Sequence, residues 1–126
     1  SIMIHKDIFK DVGLFDENFP VCEDYDLWLR ICSRYPVVYL REKLIKKFGG
    51  HDDQLSRRYW GMDRFRIQAL EKMINDPVLS ENDRMTTVTT AINKARKLQK
   101  GLVKHNHEEE AEKMTKKLAE LETLYD

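Results

Sequence analysis

The stretch Cys22-Glu23-Asp24-Tyr25-Asp26-Leu27-Trp28-Leu29-Arg30 decides how this chain is read. Laid on a helix of about 3.6 residues per turn, Asp24 falls on the side of Leu27, Trp28 and Ile31. Asp26 falls with Arg30 on the polar side. Asp24 is therefore an acid expected to point inward or into a cleft, and Asp26 is expected to form an exposed ion pair with Arg30. The pattern predicts a helix from about Asp24 to Tyr35, ended by Pro36, which lacks an amide donor and restricts the residue before it. A helix amino terminus carries partial positive charge and favours an ionised carboxylate. Two readings of Asp24 follow. It caps the helix, as aspartate commonly does, or it stands in a cleft and takes a proton from an attacking hydroxyl.

Upstream, Ser1-Ile2-Met3-Ile4 reads as a strand already under way with no initiator methionine, as if the sequence begins inside a fold. Lys6–Val12 is one or two helical turns stopped by Gly13. Gly13–Pro20 is a turn-rich connection anchored by Phe15 and Phe19. Downstream, Val37-Val38-Tyr39-Leu40 reads as a strand from its β-branched and aromatic content. Leu44–Phe48 is a second strand, closed by Gly49-Gly50.

The pattern changes near His51–Tyr59 and is helical from there on. Trp60–Ile74 places Met62, Phe65, Ala69 and Met73 on one face, and Asp76-Pro77 breaks it. Ser80-x-x-Asp83 resembles a capping box. Val88, Ala91, Ile92, Ala95 and Leu102 form one face of the next helix, with Gly101 near its end. Asn106-x-x-Glu109 resembles another cap. Ala111, Met114, Leu118, Leu121 and Tyr125 then form a coiled-coil seam, opposite lysine–glutamate pairs such as Glu109–Lys113 and Glu112–Lys116. The last two helices are expected to form an antiparallel hairpin. The fold class expected is α+β, mostly helical, with a few strands in residues 1–58 and a helical tail in 59–126.

The chain has 126 residues, 41% apolar and 35% charged, with 22 basic and 22 acidic side chains. This permits one cored domain and argues against nucleic acid as a partner, since a phosphate-binding surface needs a basic excess or a clustered basic face. No run approaches the ~20 apolar residues of a membrane span, and the start does not read as a signal peptide. Cys22 and Cys32 are too few for a disulfide scaffold, so a reduced, cytoplasmic setting is the simpler expectation.

Val12-Gly13-Leu14-Phe15-Asp16-Glu17, a short spacer, and Glu23-Asp24-Tyr25-Asp26-Leu27-Trp28-Leu29-Arg30 together resemble the signature of family 2 glycosyltransferases of the GT-A type. The resemblance extends through Pro36–Leu40 and Lys43–Gly50 to His51 and Gln54-Leu55-Ser56, and is weaker in the tail. It implies a partial GT-A fold followed by a helical hairpin. It implies an inverting transfer of sugar from a nucleotide-sugar donor to a saccharide acceptor, with Asp24 as catalytic base and Glu23 lining or supporting the acceptor site. It also implies a divalent metal, manganese or magnesium, in an intact enzyme. Such enzymes carry an amino-terminal nucleotide-binding half ending in an Asp-x-Asp metal motif. Asp24-Tyr25-Asp26 has that spelling but opens an amphipathic helix instead of ending a buried strand. The chain is therefore expected to be the acceptor-side, carboxyl-terminal portion of such an enzyme, inactive alone, with peripheral contact to the inner membrane left open for the intact protein.

By the same resemblance His51 is a metal or diphosphate contact; its alternative is a plain loop histidine beside Asp52 and Asp53. Arg57 and Arg58 could offset charge on a departing diphosphate, or be simply solvated. Trp60 is the better carbohydrate contact of the two tryptophans because it adjoins this loop, although both also suit a core. His105 and His107 near Glu108–Glu110 do not by spacing fix a metal geometry. A reading of another class is an interaction module whose helical tail, Ser80 to Asp126, docks on a partner or dimerises through the seam Ala111–Tyr125. Unpaired sheet edges would likewise invite a second copy, giving a homodimer.

Overall fold

The computed structural model describes residues 2–46, 48 and 59–125. Among them are five helices: α1 (Ile8–Val12), α2 (Glu23–Cys32), α3 (Asp63–Ile74), α4 (Glu81–Lys104) and α5 (Glu108–Thr123). Helix α2 packs between the α1 segment and α3, and α4 packs against both α3 and α5.

The helices form where the apolar spacing requires them. Val88, Ala91, Ile92, Ala95 and Leu102 are all buried along α4. Val88, Ala91, Ile92 and Ala95 meet Ile67, Leu70 and Ile74 of α3 and Leu121 of α5 in one core, against which Tyr25, Leu29, Leu98, Met114 and Leu118 also pack. Each fully buried large aliphatic side chain contributes roughly 1.5–3 kcal/mol. The start of α4 is fixed by Ser80, whose Oγ accepts a hydrogen bond from the Asp83 amide at 3.2 Å. The expected Asn106 cap is not formed. Helix α4 runs past Gly101 to Lys104, Asn106 turns the chain at φ 59°, and His107 is the residue that precedes α5. Asparagine tolerates this left-handed conformation better than most residues, and there it ends one helix instead of starting the next.

The tail hairpin is antiparallel: Gln99 Nε2 donates to Thr115 Oγ1 at 2.8 Å, and Arg96, nearer the start of α4, pairs with Glu122, nearer the end of α5, at 2.6 Å. The expected Glu109–Lys113 and Glu112–Lys116 pairs form along its outer side. The seam is filled within the chain. Ala111 and Leu121 are buried, Met114 and Leu118 pack on the core, and Tyr125 is exposed. Most of the expected seam is thus used within the chain, and pairing of two copies through it is not supported.

The expected strands are absent among the described residues. Val37, Val38, Tyr39 and Leu40 belong to no regular element and are exposed, as are Leu44, Ile45 and Phe48, and Ile2 and Met3 near the start. A strand exists only when a neighbour completes its ladder of hydrogen bonds. Composition supplied the propensity, and no described segment supplies the neighbour. The architecture of the described residues is therefore helical and not α+β. No described helix is long and apolar enough to cross a membrane.

Candidate active site

The head of α2 is set against the start of α3. Cys22 precedes the helix in a left-handed conformation at φ 62°, which a side chain adopts only when surroundings enforce it. Its buried Sγ lies 3.8 Å from the Met62 carbonyl oxygen, and burial pushes its thiol pKa up. That contact sets the first turn of α2 beside the first turn of α3, two residues from Trp60.

Asp24 lies exposed in that first turn. Its Oδ1 accepts a hydrogen bond from the Tyr25 amide at 2.7 Å, and it forms no ion pair among the described residues. Glu23 beside it is half-buried. Asp26 is the acid that turns inward, with 1% of its surface exposed. One carboxylate oxygen, Oδ2, receives Arg30 Nε at 3.0 Å and Nη2 at 2.9 Å; the other pairs with Lys72 Nζ of α3 at 2.7 Å.

This reverses the burial expected for the two acids, and the physical reason is specific. A helical projection gives direction around the axis but not position along it. Asp24 does share a side with buried Leu27 and Ile31, but it stands at the end of the helix, where side chains lean back past the first turn. The opposite side of α2 is not solvated either, because the Val12–Phe19 segment covers it. The Asp26–Arg30 pair forms as expected but is folded in.

The covering segment is held by charge. Arg30 donates to the carbonyl oxygen of Val12, and to that of Leu14 at 2.8 Å. Lys72 reaches Asp16 Oδ2 at 2.7 Å as well as Asp26, and stands 5.0 Å from the centre of the Phe19 ring. The Asp16 carboxylate also accepts from the Asn18 amide at 3.0 Å. Its pKa is lowered to about 2, first by the Lys72 hydrogen bond and then by the Asn18 amide. For Lys72, burial acts against the ammonium, but the hydrogen bonds with Asp16 and Asp26 outweigh it and raise its pKa. Lys72 was not visible as a site-supporting residue in the sequence, since a lysine on a helix pairs with distant acids only through the tertiary fold.

Trp60 remains half exposed, at 48%. Its indole stacks on His107 from the α4–α5 connection, with centroids 5.1 Å apart and planes 9° from parallel. The Arg64 guanidinium lies 4.6 Å from the indole centroid. Trp28 is half-buried. His51, Arg57 and Arg58 lie outside the described residues. No group of three or more histidine, cysteine or acidic side chains that could hold a metal occurs among the described residues, His105 and His107 included. Two shallow clefts, about 360 and 320 Å³, lie in the tail; the first is lined by Ile92, Arg96 and Glu122 among others, the second by Glu71, Ile74 and Leu124, and neither by Asp24.

Part of the chain is similar to bacterial proteins named as uncharacterized glycosyltransferases. It is 33% identical over 58 residues to one from Rickettsia felis, covering 46% of this chain and 10% of the relative. A relative from Rickettsia conorii shows 33% identity over 58 residues, 46% of this chain and 9% of that protein. One from Rickettsia typhi shows 37% over 54 residues, 43% of this chain and 17% of that protein. The chain thus corresponds to a small part of the length of these relatives. No family model and no solved structure matches it.

Proposed function

We propose that this chain is the acceptor-side portion of an inverting glycosyltransferase of the GT-A type, family 2, with Asp24 as the catalytic base. The observation that carries the reading is the division of labour at the head of α2. Asp26 is committed to Arg30 and Lys72, whereas Asp24, two residues earlier, is exposed and free of ion pairs among the described residues. A base must be open to its substrate and hold no cation that would compete for its charge. The similarity to proteins named as glycosyltransferases supports the same reading.

In the proposed reaction the acceptor hydroxyl gives its proton to an Asp24 carboxylate oxygen as its own oxygen attacks the anomeric carbon. The bond from that carbon to the nucleotide diphosphate breaks on the opposite side, so configuration inverts. Glu23 would orient the acceptor, and Trp60 would offer its ring to the sugar. The described residues do not form a metal site, so no step is assigned to a metal here. A divalent ion in the intact enzyme would take His51 together with ligands from another part of that enzyme, and Arg57 would offset charge on the diphosphate. A base without a positioned donor gives little catalysis, so the 126-residue chain alone is expected to be inactive.

The test uses the complete gene product that contains this chain, supplied with nucleotide-sugars, saccharide acceptors and manganese. Asp24→Asn should lower kcat by roughly 10²–10⁴-fold while donor affinity stays unchanged. Full activity in that variant would refute the assignment.

A further inference from the structure

Trp60 is an exposed aromatic two residues before Met62, whose carbonyl meets Cys22 at the head of α2, and its ring is already engaged. Two planar groups lie against it, the His107 imidazole and the Arg64 guanidinium. A pyranose that stacks on the part of the indole covered by one of these groups needs that group to yield. Arg64 is rooted in α3, also lies 4.7 Å from the Phe65 ring centre, and has its Nε buried. His107 belongs to an exposed connection between two helices. Its backbone is fixed, its amide donating to the Leu102 carbonyl at 3.0 Å and its carbonyl accepting from the Ala111 amide at 2.9 Å. The imidazole can therefore leave by side-chain rotation alone, without unfolding the hairpin.

We propose that His107 is a displaceable stopper on a saccharide platform formed by Trp60, so that the tail hairpin sets how readily the acceptor sugar binds. The inference rests on the reading of Trp60 as an acceptor contact. Its chemistry is competition: imidazole and sugar ring cannot lie on the same patch of indole. An aromatic stack of this kind is worth about two- to tenfold in an equilibrium constant, which sets the size of the effect.

The experiment is a titration of the purified chain with methyl β-D-glucopyranoside, methyl β-D-galactopyranoside and methyl α-L-rhamnopyranoside, followed by NMR. In the free chain the indole ring current shifts the His107 imidazole protons upfield. As a glycoside binds, those protons should move back towards the values of an exposed histidine. His107→Ala should tighten binding about two- to tenfold, and Trp60→Ala should abolish it. If a glycoside perturbs the Trp60 indole while His107 stays in place and His107→Ala binds no more tightly, the stopper is refuted and the platform stands. If no glycoside binds the wild type or His107→Ala, both the platform and the stopper are overturned. Loss of transfer by Asp24→Asn in the complete gene product would still support the catalytic reading independently.

Discussion

Replacing Arg30 with methionine keeps most of the volume of the side chain and removes its charge. In the structure that side chain is 15% exposed and Asp26 is 1% exposed. The substitution strips Asp26 of a hydrogen bond and an ion-pair contact to the same oxygen and leaves the carbonyl groups of Val12 and Leu14 without their donor. Removing one partner of a buried ion pair costs about 3–5 kcal/mol, because the remaining charge stays desolvated. Lys72 still reaches the other carboxylate oxygen, and the two carbonyls lie near the surface where water can replace the donor. The expected loss is therefore at the lower end, about 3 kcal/mol. Urea unfolding followed by circular dichroism at 222 nm reads it directly. With a slope of about 1–3 kcal/mol per molar, the midpoint should fall by roughly 1–3 M while the slope itself is unchanged. Arg30→Lys should recover only part of the loss, since a single ammonium cannot reproduce the planar fork that spans Asp26 and two carbonyls. Adding Asp26→Asn to Arg30→Met should cost less than the two single effects summed, because the stranded charge is gone. A loss below about 1 kcal/mol for Arg30→Met, the size of an exposed pair, would refute the buried network. So would strict additivity in the double variant.

Ser80→Ala removes the side-chain acceptor for the Asp83 amide at the start of α4 and should cost about 1 kcal/mol in the same unfolding assay. Gly13 stands at φ 78° and ψ 176°, a region almost closed to residues with a β-carbon, so Gly13→Ala should destabilise by about 1–3 kcal/mol in thermal or urea unfolding. The lowered pKa of Asp16 has a definite sign. Its stabilising contribution is complete above the ordinary carboxylate value of 3.8 and is lost as pH falls towards about 2. Asp16→Asn should therefore flatten the dependence of stability on pH across that window, and an unchanged slope would show that Lys72 does not hold Asp16 as described.

The tail was readable because its helices are long and its apolar positions repeat. Every residue expected on the buried face of α4 is buried, and the Ser80 cap forms because its partner lies only three residues away. The face of α3 was read less well. Ala69 and Met73 are buried, but Ile67, Leu70 and Ile74 carry more of the core than Met62 and Phe65, which sit half-buried at its first turn. The strands failed for a different reason. Val37–Leu40 has the composition of a strand, but strand formation is a property of pairs of segments, and the partner is not among the described residues. At the candidate site, the residue types at the head of α2 were legible and their burial was not. The inward turn of Asp26 depends on Lys72 and the Val12–Phe19 segment, both of which meet it only in three dimensions. The stack of Trp60 on His107 was equally invisible, since nothing local links a residue before α3 to one before α5.

Lys72 grips Asp16 and Asp26 at once, while Arg34 beyond the end of α2 meets Asp76 beyond the end of α3 at 2.7 Å. These clasps join parts of the chain that lie on either side of the segment between Tyr35 and Asp63. A polypeptide severed in that interval would retain them together with the apolar contacts of Tyr25 and Leu29. The two pieces, expressed separately and mixed, are expected to find one another and reassemble, and new amino and carboxyl ends could be opened there by circular permutation.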